Sequence, residues 1–162
     1  MMRQTHAAGY TLTEMIVVLV ILGLVAGGVA VLGTAAYGAM HKTRFEAECA
    51  EIQSAFVDLR NQALMSGSPY GAYAQILEDK IVLTHYRGDN GAKVTRTLPL
   101  QSIRIQNRRH RPISVVNLSF TAAGTISRGT TLSLNGPGRL QCYLIFQPVT
   151  GRIYLNNTPP NP

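Results

Sequence analysis

Gly9-Tyr10-Thr11-Leu12-Thr13-Glu14 stands directly before a long apolar run, and its reading decides the fold. Met15 to Met40 holds no Asp, Glu, Lys or Arg. A short polar segment ending in glycine comes first, then two threonines, then one carboxylate at the lip of a membrane-length helix. A charge at the centre of a membrane-spanning helix costs about 2.5–3.5 kcal/mol on insertion scales, and less near its ends. A helix that served only as an anchor has no use for Glu14. The pattern points to a helix that enters a membrane and later leaves it for a partner.

This N-terminus resembles that of the type IV pilin superfamily. The family pattern is a short basic leader ending in Gly, an aromatic first mature residue, and Glu at the fifth mature position. Here Met1–Gly9 is the leader, Tyr10 the first mature residue, and Glu14 the fifth. The run from Met15 to Ala26, with Gly23, also looks like the family's helix. Tyr10 stands where Phe is usual and keeps an aromatic ring. No proline interrupts the run near Val31, a departure from major subunits that favours a minor one. A weaker likeness, to the C-terminal sheet of H-type pseudopilins and related minor pilins, covers Phe120–Gly124, Gly129–Leu132 and Thr150–Tyr154.

The resemblance implies an α+β fold: a long N-terminal helical stem, membrane-spanning in its first half, packed on an antiparallel β-sheet domain. It implies cleavage by a prepilin peptidase between Gly9 and Tyr10 and N-methylation of Tyr10. It implies subunit assembly through Glu14, whose carboxylate pairs with a neighbouring subunit's N-terminal ammonium. Two desolvated opposite charges gain most by meeting each other. The implied partners are other pilin subunits through the N-terminal helix, the peptidase and the membrane. The implied location is a single-pass membrane protein with its sheet domain extracytoplasmic, then a pilus or pseudopilus on the cell surface or in the periplasm.

The 162 residues divide into a leader (1–9), an uncharged helical half (10–40), an amphipathic half (41–66) and a β-rich domain (67–162). The uncharged half exceeds the roughly 20 residues a bilayer requires. In the second half, Phe45, Cys49, Ile52, Phe56, Leu59 and Ala63 recur at spacings of three and four, one face of a helix. Ser66-Gly67-Ser68-Pro69 ends it. A helix from Tyr10 to Met65 is about 84 Å long at 1.5 Å per residue. Its second half is expected to pack on a sheet. Strands are expected over 70–77, 80–86, 93–100, 113–120, 130–134, 140–146 and 152–156, with a hairpin turn at Glu78-Asp79 and a turn at Asn90-Gly91.

The net charge is +7, and its distribution says more than its total. Beyond Asn90 there are nine basic residues and no carboxylate. Such a half-chain is a candidate surface for polyanions. The densest cluster, Arg104-Ile105-Gln106-Asn107-Arg108-Arg109-His110-Arg111-Pro112, reads as an exposed loop. Arg104, Arg108, Arg109 and Arg111 are candidate DNA-binding residues, because guanidinium groups fork onto phosphates. Tyr143 and Tyr154 are candidates for stacking or for the core. The alternative for the cluster is a solvated face that aids solubility or touches anionic lipid or cell-wall polymer. Cys49, on the helical stripe, and Cys142, in a strand pattern, are either a disulfide joining stem to sheet or two buried free thiols.

Two rival readings of the N-terminus are a secretory signal peptide cleaved near Ala35-Ala36 and a plain membrane anchor. Arg3 precedes the apolar run and Lys42 and Arg44 follow it, so charge alone does not orient it. The sequence carries no zinc motif, P-loop or nucleophile elbow. His85 with Asp89 is a weak acid–base pair at a strand end. The expectation is a non-enzymatic subunit without metal or cofactor. It is either a minor pilin of a type IV pilus, with a contribution to DNA binding or uptake, or a pseudopilin of a type II secretion system.

Overall fold

Thr11 opens a single helix, α1, that runs from Leu12 to Met65 over 54 residues. In the computed structural model, residues 11–66, 70–87, 91–107, 109, 111 and 113–159 are described. The chain divides into two units, Met1–Met40 and His41–Pro162. In the first unit, Leu12–Val29 is long and apolar enough to cross a membrane, and none of it is buried within the protein. Exposed Leu, Ile and Val on every side suit a hydrocarbon surround or a bundle of like helices, not water.

The second unit is built on the amphipathic half of α1. Its six stripe residues, Phe45, Cys49, Ile52, Phe56, Leu59 and Ala63, are all buried, as is Ala55 beside them. They face two four-stranded antiparallel sheets. One contains β1 (Ala72–Ile76), β2 (Lys80–Arg87), β3 (Ala92–Pro99) and β5 (Val116–Phe120), in the order β3-β2-β1-β5. The other contains β4 (Arg104–Asn107), β6 (Thr130–Asn135), β7 (Gln141–Phe146) and β8 (Ile153–Asn156), in the order β4-β6-β7-β8. The architecture is α+β and pilin-like, as expected, with two sheets in its β-rich part.

Strand alternation supplies the core. Ala72, Ala74 and Ile76 of β1 turn inward, and Ile81 and Leu83 of β2 lie beside them. Leu132, Leu134, Cys142, Leu144 and Phe146 do the same in the second sheet. Phe56 meets Phe146 edge to face, with centroids 4.9 Å apart. Each fully buried Leu, Ile or Phe contributes about 1.5–3 kcal/mol. A side chain at Gly136 would collide with the Phe45 ring, so its absence lets α1 approach the second sheet.

One segment differs from expectation. The charge of residues 104–112 predicts an exposed loop, but Arg104–Asn107 is strand β4, paired in register from Arg104↔Asn135 to Asn107↔Leu132. Ile103 and Ile105 are buried between exposed or half-exposed neighbours, the period of two that a strand requires. The dense charge masks that short alternation. The turn at Glu78-Asp79 is as expected, with the Leu77 N–H donating to the Lys80 carbonyl at 2.9 Å. Asn90, in the other expected turn, lies outside the described residues.

Candidate functional site

The first site is the start of α1. The Thr11 backbone N–H donates to Glu14 Oε2 at 2.9 Å, and the Thr11 hydroxyl donates to the same oxygen at 3.0 Å. In return the Glu14 N–H donates to Thr11 Oγ1 at 3.3 Å. The Met15 N–H donates to the Thr11 carbonyl at 3.2 Å, the first turn of the helix. Thr11-Leu12-Thr13-Glu14 is therefore a capping box: the N-cap hydroxyl and the carboxylate three residues on satisfy each other's backbone donors. A negative charge in the first turn also complements the helix dipole. The Thr-x-x-Glu spacing is the sequence signal for this role, which the resemblance to a filament subunit does not by itself bring out. Gly9 and Tyr10 lie outside the described residues.

The second site lies at the end of the second sheet. The β4–β6 register stops at Asn107↔Leu132, so Thr130 and Thr131 of β6 continue past β4. There the chain turns. Asn107 Oδ1 accepts the N–H groups of Arg109 at 2.9 Å and Arg111 at 3.0 Å, and the Asn107 N–H donates to the Arg111 carbonyl at 3.0 Å. One asparagine side chain thus shapes the basic turn from within. Asn107, Arg109, Gly129, Thr130, Thr131 and Phe146 line an open groove of about 630 Å³. Arg104 and Arg111 are exposed but do not line this groove among the described residues. Arg108 lies outside the described residues. Tyr143 is buried, which removes it from any stacking surface. Tyr154 is half-buried, with the Arg152 guanidinium 5.8 Å from its ring centroid.

A carboxylate on α1 holds the approach to this turn. Glu48 accepts the N–H of Gln101 at 2.8 Å and that of Ser102 at 3.1 Å, and the Ser102 hydroxyl as well. The loop it grips leads directly into β4. A second tie joins the helix to the two glycine turns of the C-terminal pattern. Arg60 Nε donates to the Gly124 carbonyl at 3.0 Å. Gly151 sits at φ 63°, and a Cβ there would meet Arg60 Nε at 2.9 Å and the Gly124 carbonyl. Neither latch has a signal in the sequence, because each pairs residues more than fifty positions apart.

Cys49 and Cys142 are buried free thiols, and the fold brings them into hydrogen-bond contact. That contact holds the Cys142 thiol down at about 7. The same contact, together with burial, pushes the Cys49 thiol up. Among the described residues, no group of three or more His, Cys, Asp or Glu could hold a metal ion. Asp89, the suggested partner of His85, lies outside the described residues.

Residues 5–30 match a family model described as the prokaryotic N-terminal methylation motif. This is the leader signature shared by type IV pilins and pseudopilins. No curated protein and no solved structure matches the chain.

Proposed function

We propose that this chain, which carries the type IV pilin and pseudopilin leader signature, is a minor pilin: a structural subunit of a type IV pilus rather than an enzyme. A prepilin peptidase cleaves it between Gly9 and Tyr10, and the new N-terminus is methylated at Tyr10. Before assembly the protein is held in the membrane by the uncharged half of its helix, with the sheet domain on the extracytoplasmic side. After assembly that half-helix packs among those of other pilins. The observation that carries this reading is a single carboxylate, Glu14, at the capped start of an 18-residue membrane-length segment, inside a matched leader motif.

Cleavage creates an ammonium at Tyr10, four residues from Glu14, at the edge of the bilayer. An incoming subunit's ammonium meets Glu14 of its neighbour, and each charge relieves the other's desolvation. Replacing Glu14 with Val is expected to leave membrane insertion intact and remove the protein from sheared filaments. Normal incorporation of that variant would refute the role. Sequencing the mature protein is expected to begin at Tyr10; a start near Tyr37 would assign a secretory signal peptide instead.

The β-rich domain contributes to DNA binding in this reading. Its support is the exposed Arg104, Arg109 and Arg111 in a half-chain without carboxylates, with Arg108 in the same cluster. Alanine at Arg109 and Arg111 should weaken binding to duplex DNA. It should also lower the salt dependence by about one unit of slope for each phosphate no longer neutralised. A wild-type protein that binds no duplex at low salt overturns this part and leaves the filament role standing. Cys49 and Cys142 form a disulfide once the domain reaches an oxidising compartment, exchanging with an oxidised thiol oxidoreductase. A mass lower by two hydrogens in the exported protein checks this.

A further inference from the structure

The outer face of the first sheet, away from the helix, carries a cluster of rings. Strand pairing sets it. Tyr73 lies opposite Thr84, Thr84 opposite Thr95, and Tyr86 opposite Lys93. Tyr73 and Tyr86 are therefore diagonal neighbours on one face, within reach of each other. Their centroids are 6.3 Å apart. Tyr70, just before β1, brings a third ring to 5.3 Å from Tyr86 and is 67% exposed. The Lys93 ammonium sits 5.9 Å from the Tyr73 centroid. Thr84 is buried beneath this group, its hydroxyl 3.3 Å from that of Thr95. Strand register places Tyr73 and Tyr86 on this face, and Tyr70 packs against Tyr86 from outside the strand.

The charge of the sheet narrows what this surface takes. By strand alternation Lys80 and Lys93 lie on this outer face and Arg87 and Arg96 on the opposite one, and the four strands contain no Asp or Glu. The Lys93 ammonium beside the rings, with no Asp or Glu next to them among the described residues, favours an anionic ligand over a neutral sugar. An acidic, ring-bearing polymer fits both features. Bases stack on tyrosine faces, while cations meet the phosphates that link them. Duplex DNA keeps its base faces inside the stack, so only an unpaired strand presents them.

We propose that Tyr70, Tyr73, Tyr86 and Lys93 form a binding platform for single-stranded nucleic acid, on a different sheet from the basic groove at Arg109. The platform does not rest on that groove, nor on the filament role.

The chain has seven tyrosines and no tryptophan, so tyrosine fluorescence reports stacking directly. The experiment titrates full-length protein in detergent micelles with oligothymidylate, oligouridylate and a duplex of equal length at low salt. Both single strands are expected to quench the fluorescence and the duplex far less; a difference between the two strands assigns DNA or RNA. Tyr86→Ala should weaken single-strand affinity by roughly tenfold, the loss of about one stacked base. Tyr86→Phe, which keeps the ring, should restore it, and Lys93→Ala should reduce the salt dependence. Arg109→Ala with Arg111→Ala should keep a Tyr86-dependent quench at saturating single strand, whatever affinity the lost charges remove. The proposal is overturned if no single strand quenches, or if the duplex quenches equally. It is also overturned if Tyr86→Ala binds like wild type, or if binding disappears only in the arginine variant. Cross-linking of Tyr70 to a neighbouring subunit in sheared filaments, with no strand bound, assigns the face to assembly and likewise overturns it.

Discussion

The Thr11 hydroxyl and the Glu14 carboxylate are locked to one another, each satisfying a backbone donor at the start of α1. Glu14 thus has a partner within its own chain before any neighbour arrives. The carboxylate is held at the helix entrance in one orientation, which lowers the entropy lost when an ammonium docks against it.

The cap and the charge can be separated. Glutamine at position 14 still completes a capping box but carries no charge. Glu14→Gln should keep the helix start and membrane insertion while failing to enter filaments. Thr11→Val keeps the charge and loses the cap, at about 1 kcal/mol of helix stability, and should still assemble. Immunoblotting of sheared filaments against the membrane fraction distinguishes the two. If both variants assemble equally, the carboxylate is only a cap.

Glu48 binds two backbone N–H groups and a hydroxyl where β3 leads into β4. Removing it leaves the Gln101 and Ser102 donors without this acceptor. Hydrogen bonds to a charged group are worth about 1.5–3 kcal/mol. Glu48→Ala should therefore lower the melting temperature, and hydrogen exchange should quicken first at Gln101 and Ser102. Uniform destabilisation without local loosening would show that Glu48 acts through packing alone.

Gly151 combines φ 63° with contact against Arg60. Alanine there meets both an unfavourable backbone and an occupied space. Gly151→Ala should destabilise the second unit by about 1–3 kcal/mol, measured by denaturant midpoint. Arg60→Ala relieves the contact with the guanidinium but not the closer one with the Gly124 carbonyl, and it loses the bond to Gly124. The double variant should therefore be less destabilised than the sum of the two single variants.

In the reduced protein, the hydrogen bond from Cys49 holds Cys142 at about 7, while the same contact and burial raise Cys49. Unfolded thiols titrate near about 8.5. A lowered folded pKa contributes stability above the unfolded value and loses it as pH falls through about 7. A raised one contributes below the unfolded value and loses it as pH rises. Stability of the reduced protein should therefore climb from neutral pH, peak near the ordinary thiol pKa, and fall beyond it. Melting curves across this range check the peak, and Cys142→Ala should flatten it.

Much of the fold is legible in the sequence because it follows local rules. The three-and-four spacing from Phe45 to Ala63 is a buried stripe, and Glu78-Asp79 is the turn between two alternating strands. Strand β4 is hidden because Ile103 and Ile105 mark the period of two over only four residues, amid arginines that read as loop. The Thr11–Glu14 box is also written locally and needs only the spacing.

By itself the sequence determined the membrane-length helix, its lone carboxylate, the acid-free half and the stripe on which the sheets pack. These depend on neighbours along the chain, where hydrophobic period and charge order are sufficient. Tertiary structure alone decided that Glu48 grips residues 101–102, that Arg60 meets Gly124 and Gly151, and that Cys49 faces Cys142. It also decided that Tyr70, Tyr73 and Tyr86 share one face beside Lys93. Those pairings arise from strand register and from the approach of helix to sheet, which are set by burial summed over the whole core and not by any short stretch of residues.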